Sequence, residues 1–209
     1  LNSGTILWWK FGKEIMAESL INLEDSLANE IKENEGGLVL EPYKLEYTKQ
    51  DGTIVKEDAY TVGYGTQISN DEYNSYMSLN EQDKKTFVEN KFNQKYSEAQ
   101  EDADIYMKAN GISNAPQSIK DSVVEMAFNM GRGSLKDKKG LMSFKGFAKA
   151  IRKGDYARAA DELRYINPDI KGVENNTTPY YNQVGPKGDQ LESESRVGKI
   201  IDKVLSNLQ

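Results

Sequence analysis

Apolar residues recur at spacings of three and four near the start of the chain, which is the period of an α-helix that buries one side. The positions with this spacing are Leu20, Leu23, Leu27 and Ile31. Gly36-Gly37 follows them, and a glycine pair of this kind commonly ends a helix. The pattern therefore predicts a first helix that ends at Glu35.

The next part of the chain is rich in β-branched and aromatic residues, which is typical of strands. The segments with this composition are residues 38–48, 53–55 and 60–65. Asp51-Gly52 lies between the first two, and Asp-Gly is a common hairpin turn. Gly63 and Gly65 are two residues apart, so on a strand they would face one side and leave the backbone open to a ligand.

From about residue 70 onward the hydrophobic spacing predicts one helix after another. A long helix is expected from about residue 80 to 109. Ser118 with Asp121 has the spacing of a capping box, which predicts that Ser118 opens a nearly all-apolar helix. Ser143 and Asp155 are predicted to cap two shorter helices, because their side chains suit that position.

A last helix is predicted near the C-terminal end of the chain. Its expected buried stripe consists of Val197, Ile200, Ile201, Val204 and Leu208. Residues 168–189 are rich in Gly, Pro and Asn and are predicted to form a loop. One helix, a small sheet and then many helices make an α+β fold. We expect a single domain over residues 18–209, preceded by a linker or docking segment at 1–17.

Composition excludes several kinds of chemistry. The chain of 209 residues contains no His and no Cys. The chain therefore cannot form a nucleophile activated by imidazole, a thiol nucleophile, a disulfide or the usual zinc sites. We expect neither a metal nor a cofactor, and catalysis would depend on carboxylates, hydroxyls, Lys, Arg or Tyr.

Charge and hydropathy limit the kinds of partner that the chain is expected to bind. The 27 Lys and Arg are outnumbered by 33 Asp and Glu, for a net charge of −6. A phosphate-binding surface requires a basic excess, so we expect no general binding of nucleic acid. The longest apolar run, Ile6-Leu7-Trp8-Trp9, is far shorter than the roughly 20 residues of a membrane span.

Glu35 stands where a helix ends and a sheet begins. The partial negative charge at a helix C-terminus and burial both favour the protonated form of a carboxyl group. A protonated carboxyl group can donate its proton to the leaving oxygen of a glycosidic bond. Position alone favours an ordinary solvated glutamate before a C-cap glycine.

Several motifs in chain order resemble the phage-type lysozymes, the muramidases of glycoside hydrolase family 24. These motifs are Glu35-Gly36, Thr61-Val62-Gly63-Tyr64-Gly65, residues 124–131, Gly154-Asp155-Tyr156, Tyr180-Tyr181-Asn182-Gln183 and Arg196-Val197. The resemblance covers about residues 20–208. It implies a lysozyme-like fold, with a small antiparallel β lobe, a larger helical lobe and the active-site cleft between them.

The resemblance also implies an activity, which is endo-hydrolysis of the β-1,4 bond between N-acetylmuramic acid and N-acetylglucosamine in peptidoglycan. By match, Glu35 would be the general acid, and the Thr61 hydroxyl would help to hold the attacking water. Phe128 and Asn129 would line the sugar cleft. Family members invert the anomeric carbon, which requires a second carboxylate about 6.5–9.5 Å from the first.

The second carboxylate departs from the family pattern. Direct alignment places Leu45 at the position of the family's aspartate, and leucine cannot activate water. We prefer Glu46, although a shift of one residue on a strand needs a bulge to restore the face. Asp51 and Asp58 are the alternatives. Without such a carboxylate, the chain would be a weak or inactive peptidoglycan-binding module.

Basic residues concentrate in one part of this acidic chain. They are Arg132, Lys136, Lys138, Lys139, Lys145, Lys149, Arg152 and Lys153, with only Asp137 among them. This run fits either a footprint for the anionic bacterial wall or a solvated helical face. We expect a phage endolysin, located in the host cytoplasm, or a virion-associated lytic domain that contacts phage structural proteins through its N-terminal segment. A bacteriocin domain would share the chemistry.

Overall fold

The computed structural model describes residues 26–48, 54–134, 136, 139–171, 173, 176–186 and 190–208. The chain divides into two compact units, unit 1 (Leu1–Asn93) and unit 2 (Gln94–Gln209). The predicted segment 1–17, the start of the first helix and the Asp51-Gly52 turn lie outside the described residues.

Helix α1 covers residues 26–34 of the described chain and ends as predicted. Gly37 N–H donates to the Lys32 carbonyl at 3.1 Å, and Gly36 N–H donates to the Glu33 carbonyl at 3.0 Å. This pair of bonds is the Schellman motif, which satisfies the last helical carbonyls and needs a left-handed residue. Gly36 supplies it with a φ of 91°. Glu35 is consequently the C-cap residue.

Three antiparallel strands form the sheet of unit 1, in the order β1-β2-β3. Their bounds are Val39–Thr48 for β1, Ile54–Gly63 for β2 and Thr66–Ile68 for β3. Tyr64 and Gly65 form the turn between β2 and β3, so the prediction of one strand through Gly65 was wrong. The turn arises because Gly63 and Gly65 both have positive φ angles.

Two helices complete unit 1. Helix α2, Asn70–Met77, begins with a capping box in which the Ser69 hydroxyl accepts from Glu72 N–H and the Glu72 carboxylate accepts from Ser69 N–H. Its Tyr76 is fully buried and donates to the Leu40 carbonyl at 2.7 Å. This bond fastens α2 to β1.

Helix α3, Glu81–Asn110, is long and confirms the helix predicted from about residue 80. Its first part, which carries the buried Val88 and Phe92, belongs to unit 1. Its second part belongs to unit 2 and carries the buried Tyr106, whose hydroxyl donates to the Phe144 carbonyl at 2.6 Å.

Helix α4, Gln117–Met130, lies in the core of unit 2, as its apolar sequence predicts. Pro116 is its N-cap, and no side chain caps it. The predicted capping box at Ser118 was therefore wrong. Ser118 lies inside the helix because the helix already begins at Gln117, directly after the Pro116 N-cap. Its hydroxyl instead accepts from the Asn207 side chain at 2.8 Å.

Two short helices follow. Helix α5, Lys145–Arg152, has Phe144 as its N-cap, while Ser143 closes a 3₁₀ turn over Leu141–Ser143. The predicted Ser143 cap was wrong because the Ser143 hydroxyl is used within that turn, where it donates to the Gly140 carbonyl. Helix α6, Tyr156–Arg164, confirms the Asp155 cap, because the Asp155 carboxylate accepts from Arg158 N–H.

The segment predicted as a loop over residues 168–189 contains regular structure, which corrects that prediction. It holds a 3₁₀ turn, Pro168–Ile170, and helix α7, Pro179–Val184. The Thr178 hydroxyl caps α7 by accepting from Tyr181 N–H. The Asn176 side chain bonds to the backbone of residues 167 and 170 and holds the segment together.

Helix α8, Arg196–Leu205, follows a 3₁₀ turn at Glu192–Glu194. Its buried face contains Val197, Ile200, Ile201 and Val204, as predicted. Leu208 is 58% exposed, so its place in that stripe was wrong. It lies in a separate 3₁₀ turn, Ser206–Leu208, where the period of the α-helix is lost.

The described structure is mixed α+β, predominantly helical with one small antiparallel sheet. This agrees with the coarse fold class predicted from the sequence. Within the described residues, no helix has both the length and the apolar character that crossing a membrane requires.

Gly63 at the end of β2 is a point of close packing in unit 1. A Cβ built on Gly63 would lie 2.0 Å from Val88 Cγ1 of α3. The expectation that Gly63 leaves its backbone open to a ligand was therefore wrong, because Val88 occupies that space. Gly36 offers a contrast, because it also has a positive φ but nothing lies within 4 Å of its Cβ position.

This contrast gives a stability test. We expect Gly36→Ala to lower the free energy of unfolding by about 1–2 kcal/mol, the cost of a left-handed alanine. Gly63→Ala should cost about 1–3 kcal/mol more, because overlap with Val88 is added. Denaturant unfolding measures both. Equal losses would contradict the packing, and Val88→Ala in the Gly63→Ala background should recover part of the difference.

Candidate functional site

The carboxylate of Glu35 reaches the turn between β2 and β3. A Cβ built on Gly65 would lie 3.2 Å from Glu35 Oε2. Glu35 is half-buried at the C-cap of α1, and its N–H donates to the Ile31 carbonyl at 2.9 Å. Glycine at position 65 favours this close approach, because a Cβ there would push the carboxylate slightly away. The structure thus brings together the two motifs on which the sequence resemblance rests most heavily.

An ion pair and a hydrogen bond join the elements on either side of Glu35. Glu89 of α3 accepts from Lys32 Nζ of α1 at 2.7 Å and from Tyr64 Oη at 2.7 Å. Lys32 lies three residues before Glu35, and Tyr64 lies directly before Gly65. We call these three side chains the Glu89 cluster. Through them α3 holds the end of α1 and the β2–β3 turn in one arrangement.

The electrostatics of the Glu89 cluster follow from these contacts. Burial opposes ionisation of Glu89, but the hydrogen bonds from Lys32 and Tyr64 outweigh it, so the pKa of Glu89 lies below its usual value. Burial, and then the hydrogen bond to the Glu89 carboxylate, raise the pKa of Tyr64 to about 12. Glu89 is therefore ionised and Tyr64 neutral at pH 7.

Lys32 also contacts aromatic rings. Its ammonium lies 5.2 Å from the centre of the Tyr64 ring and 4.8 Å from that of Phe92. The two rings meet edge to face, with centroids 5.3 Å apart. A cation over aromatic faces gains about 0.5–1 kcal/mol at exposed sites. These contacts restrict Lys32 and add to the rigidity of the cluster.

Thr61 lies in the middle of the sheet on β2. Its Cα is paired with Tyr43 of β1 and with Gln67 of β3. The residue is 1% exposed, and its hydroxyl has no hydrogen-bond partner among the described residues. An unsatisfied buried hydroxyl costs about 1–3 kcal/mol. Valine would suit the strand equally well without that cost, so β-propensity alone does not explain threonine at this position.

Glu46 lies on β1 and is exposed. Lys44 pairs with Tyr60 and Glu46 pairs with Lys56, so β2 has two additional residues between these pairs. Two additional residues on β2 leave the alternation of side chains along β1 unchanged. Glu46 therefore shares the face of Lys44, whereas Thr61 shares the face of Tyr43. The bulge that would bring Glu46 to the face of Thr61 is not observed on β1.

Of the two alternative carboxylates, Asp58 and Asp51, the structure describes only Asp58. Asp58 is exposed and lies on β2 within the additional residues opposite Leu45. Asp51 lies outside the described residues.

Phe128 and Asn129 belong to α4 in unit 2. Phe128 is 3% exposed, and Lys95 Nζ lies 4.1 Å from its ring centroid. Asn129 donates to the Glu125 carbonyl at 2.9 Å and accepts from the Arg196 guanidinium. Phe128 thus exposes little ring surface, while the Asn129 amide is oriented by two partners.

Unit 2 also contains a cavity of about 590 Å³. Its lining combines the aromatic rings of Phe144, Tyr165 and Tyr180 with the polar side chains of Glu162 and Gln183. Glu162 accepts from Arg158 Nε at 3.0 Å. None of Glu35, Glu46 and Thr61 lines this cavity, so the cavity gives no support to a substrate site at Glu35.

A second polar network lies near this cavity in unit 2. Arg164 forms a two-pronged ion pair with Glu192, at 2.9 and 2.7 Å. Tyr181 also donates to Glu192 at 2.8 Å. Hydrogen bonds from Arg164 lower the pKa of Glu192, and burial raises that of Tyr181 to about 12. The network anchors α6 and α7 to the turn before α8.

Within the described part of the chain, no group of three or more Asp and Glu side chains is arranged to hold a metal ion. The sequence motifs did not indicate Lys32 or Glu89. Lys32 could have been found from its position one helical turn before Glu35. Glu89 is one of many charged residues on α3 and gives no signal by itself.

Comparisons with known proteins identify no relative of this chain. No protein-family model, curated protein or solved structure matches this chain. The geometry of the site and the motifs in the sequence are therefore the basis for inferring a function.

The Glu89 cluster predicts a titration. Tyr64 should ionise with a pKa of about 12, followed through its ring carbon resonance by NMR. Since the folded-state pKa is raised, this group stabilises the fold fully below pH 10, and the contribution is lost between pH 10 and about 12. Glu89→Gln should lower the pKa of Tyr64 because charge repulsion is removed, although burial remains.

Glu81→Gln is the matched control, because Glu81 is also a glutamate of α3 in an ion pair, with Lys85 at 2.7 Å. It should leave the titration of Tyr64 unchanged. A wild-type Tyr64 that ionises near pH 10, or an equal response to both variants, would show that the cluster does not exist in solution.

Proposed function

We propose that this protein is an endo-acting peptidoglycan hydrolase of the muramidase type, with a lysozyme-like fold. The observation that carries the proposal is the placement of the Glu35 carboxylate at the glycine turn after Thr61-Val62-Gly63. This juxtaposition joins the two motifs that resemble the phage-type lysozymes. The lack of His and Cys supports it, because hydrolysis of a glycosidic bond needs only carboxyl groups.

In the proposed mechanism, Glu35 is the general acid that donates a proton to the glycosidic oxygen. Lys32 and Glu89 are positioning residues, because they fix the helix end and the turn between which Glu35 lies. Thr61 holds the water that attacks the anomeric carbon. Its buried hydroxyl supports this role, since its hydrogen-bonding capacity is not used by the described residues.

The attacking water also needs a carboxylate as its base, and inversion leaves space for that water between the two acids. Glu46 remains our first candidate, and Asp58 is the alternative. Asn129, which Arg196 holds in place, is proposed to contact the sugars. Phe128 is proposed to contribute no more than the small part of its ring that is exposed. The proposed setting is a phage endolysin or a lytic domain of a virion.

One observation favours a second candidate function, a peptidoglycan-binding module without turnover. The alternation of side chains along β1 places Glu46 and Thr61 on opposite faces of the sheet. Leu45 is on the face of Thr61, and it cannot act as a base. If neither Glu46 nor Asp58 serves, the chain would bind glycan strands without cleaving them.

Replacement of Glu35 separates the two functions. We expect Glu35→Gln to reduce the clearing of a peptidoglycan suspension by at least about a hundredfold, because the proton donor is lost. Glu33→Gln, an exposed glutamate two residues earlier in the same helix, is the control and should lyse normally. Mass spectrometry of the products should show new reducing ends on N-acetylmuramic acid.

The same assay examines the second carboxylate, with Glu46→Gln and Asp58→Asn compared at equal concentration. Failure of wild-type protein to clear the suspension while it still sediments with the walls would favour the binding module. Glu35→Gln protein that clears at the wild-type rate would exclude Glu35 as the acid.

Thr61→Val tests the role of the hydroxyl. Valine has nearly the same shape, and it removes a buried hydroxyl that has no partner among the described residues, so the free energy of unfolding should stay unchanged or rise by about 1 kcal/mol. Lysis should fall roughly tenfold or more, because the attacking water is no longer oriented. Thr66→Val, at the start of β3, serves as the control.

A structural role for Thr61 makes the opposite prediction. In that case Thr61→Val would unfold more easily while the lytic rate per folded molecule stayed at the wild-type value.

A further inference from the structure

Helix α5 carries a concentration of positive charge. Lys145, Lys149, Arg152 and the following Lys153 are all exposed. The opposite face of the helix is buried and apolar, with Phe147, Ala148, Ala150 and Ile151 in the core. The helix therefore presents four cations and no carboxylate of its own to solvent.

Among the described residues, these four cations have no acidic partners. Elsewhere in the described structure many basic side chains form ion pairs, and those include Lys32, Lys85, Lys91, Lys108, Arg132, Arg158, Arg164, Lys171 and Lys203. None of the four on α5 is within ion-pair distance of a described carboxylate. Acidic residues outnumber basic residues in this chain. A shortage of carboxylates therefore does not explain why no described carboxylate pairs with these four cations.

The cations also border a groove. Lys145, Lys149 and Arg152 line a cavity of about 360 Å³, together with Met142 and the end of α3. Arg152 is oriented there, because its Nη1 donates to the Asn110 carbonyl at 3.3 Å. None of the described Asp and Glu residues lines this groove. We call α5, Lys153 and the groove the α5 basic face.

From these observations we propose that the α5 basic face binds a phosphodiester-linked polyol polymer attached to the bacterial wall. A repeating phosphate on a flexible chain can meet successive cations one helical turn apart. The choice of a wall polymer among polyanions rests on the proposed function. A chain with a net charge of −6 approaching an anionic wall needs such a local region of opposite charge.

Two other classes of polyanion fit less well. A membrane-surface helix inserts large apolar side chains beside its cations, but the large apolar side chains of α5 are buried. Single-stranded nucleic acid is usually bound with aromatic stacking platforms, and no aromatic side chain of the described part of the chain lines the groove. The groove therefore favours a polymer recognised by its phosphates alone.

The test measures cosedimentation of full-length Glu35→Gln protein with purified walls, since this background prevents digestion. One wall sample keeps its phosphate polymer, and the other has been stripped of phosphate by acid. We expect tighter binding to the first, weakened by salt. Lys145→Gln with Lys149→Gln should reduce that binding roughly fivefold, since each exposed ion pair contributes modestly.

Lys85→Gln with Lys108→Gln is the control, because it removes the same charge from two exposed lysines elsewhere. It should bind as the parent protein does. Equal binding to both walls, equal loss in both double variants, or tighter binding to anionic lipid vesicles or single-stranded DNA would overturn the proposal. Binding without lysis by the protein that retains Glu35 would reject the proposed function while leaving this surface intact.

Discussion

The Glu89 carboxylate is the constraint on which the arrangement of unit 1 depends. It accepts from Lys32 on α1 and from Tyr64 at the β2–β3 turn, and these two residues flank the place where Glu35 meets Gly65. An ionised carboxylate with two strong donors is difficult to replace, since its removal takes the acceptor away from the partly buried Lys32 ammonium and Tyr64 hydroxyl at once. A helix end, a turn and a third helix are thereby held by one side chain.

The sequence predicts local features of this fold well. The end of α1 at Glu35 follows from Gly36-Gly37, and the Asp155 cap follows from its side chain, because both signals act within a few residues. The predicted caps at Ser118 and Ser143 were wrong. Helix α4 begins after Pro116 and helix α5 begins after Phe144, so in each case a neighbouring residue is the N-cap.

Contacts between distant residues were not predictable in the same way. Glu89 has no local signature, because its role comes from residues far away in sequence on α1 and at the turn. The glycine pair at 63 and 65 was recognised, but its two members do different things. Gly63 admits Val88, and Gly65 admits the Glu35 carboxylate. Which atom fills the space left by a glycine is a property of the fold.

The close packing at the two glycines has an evolutionary consequence. In distant relatives, any residue larger than glycine at position 63 should be accompanied by a residue smaller than valine at position 88, because both share one volume. Position 65 should likewise remain glycine wherever a long acidic side chain is retained at position 35. Such paired changes would identify kinship even where the overall sequences have diverged beyond recognition.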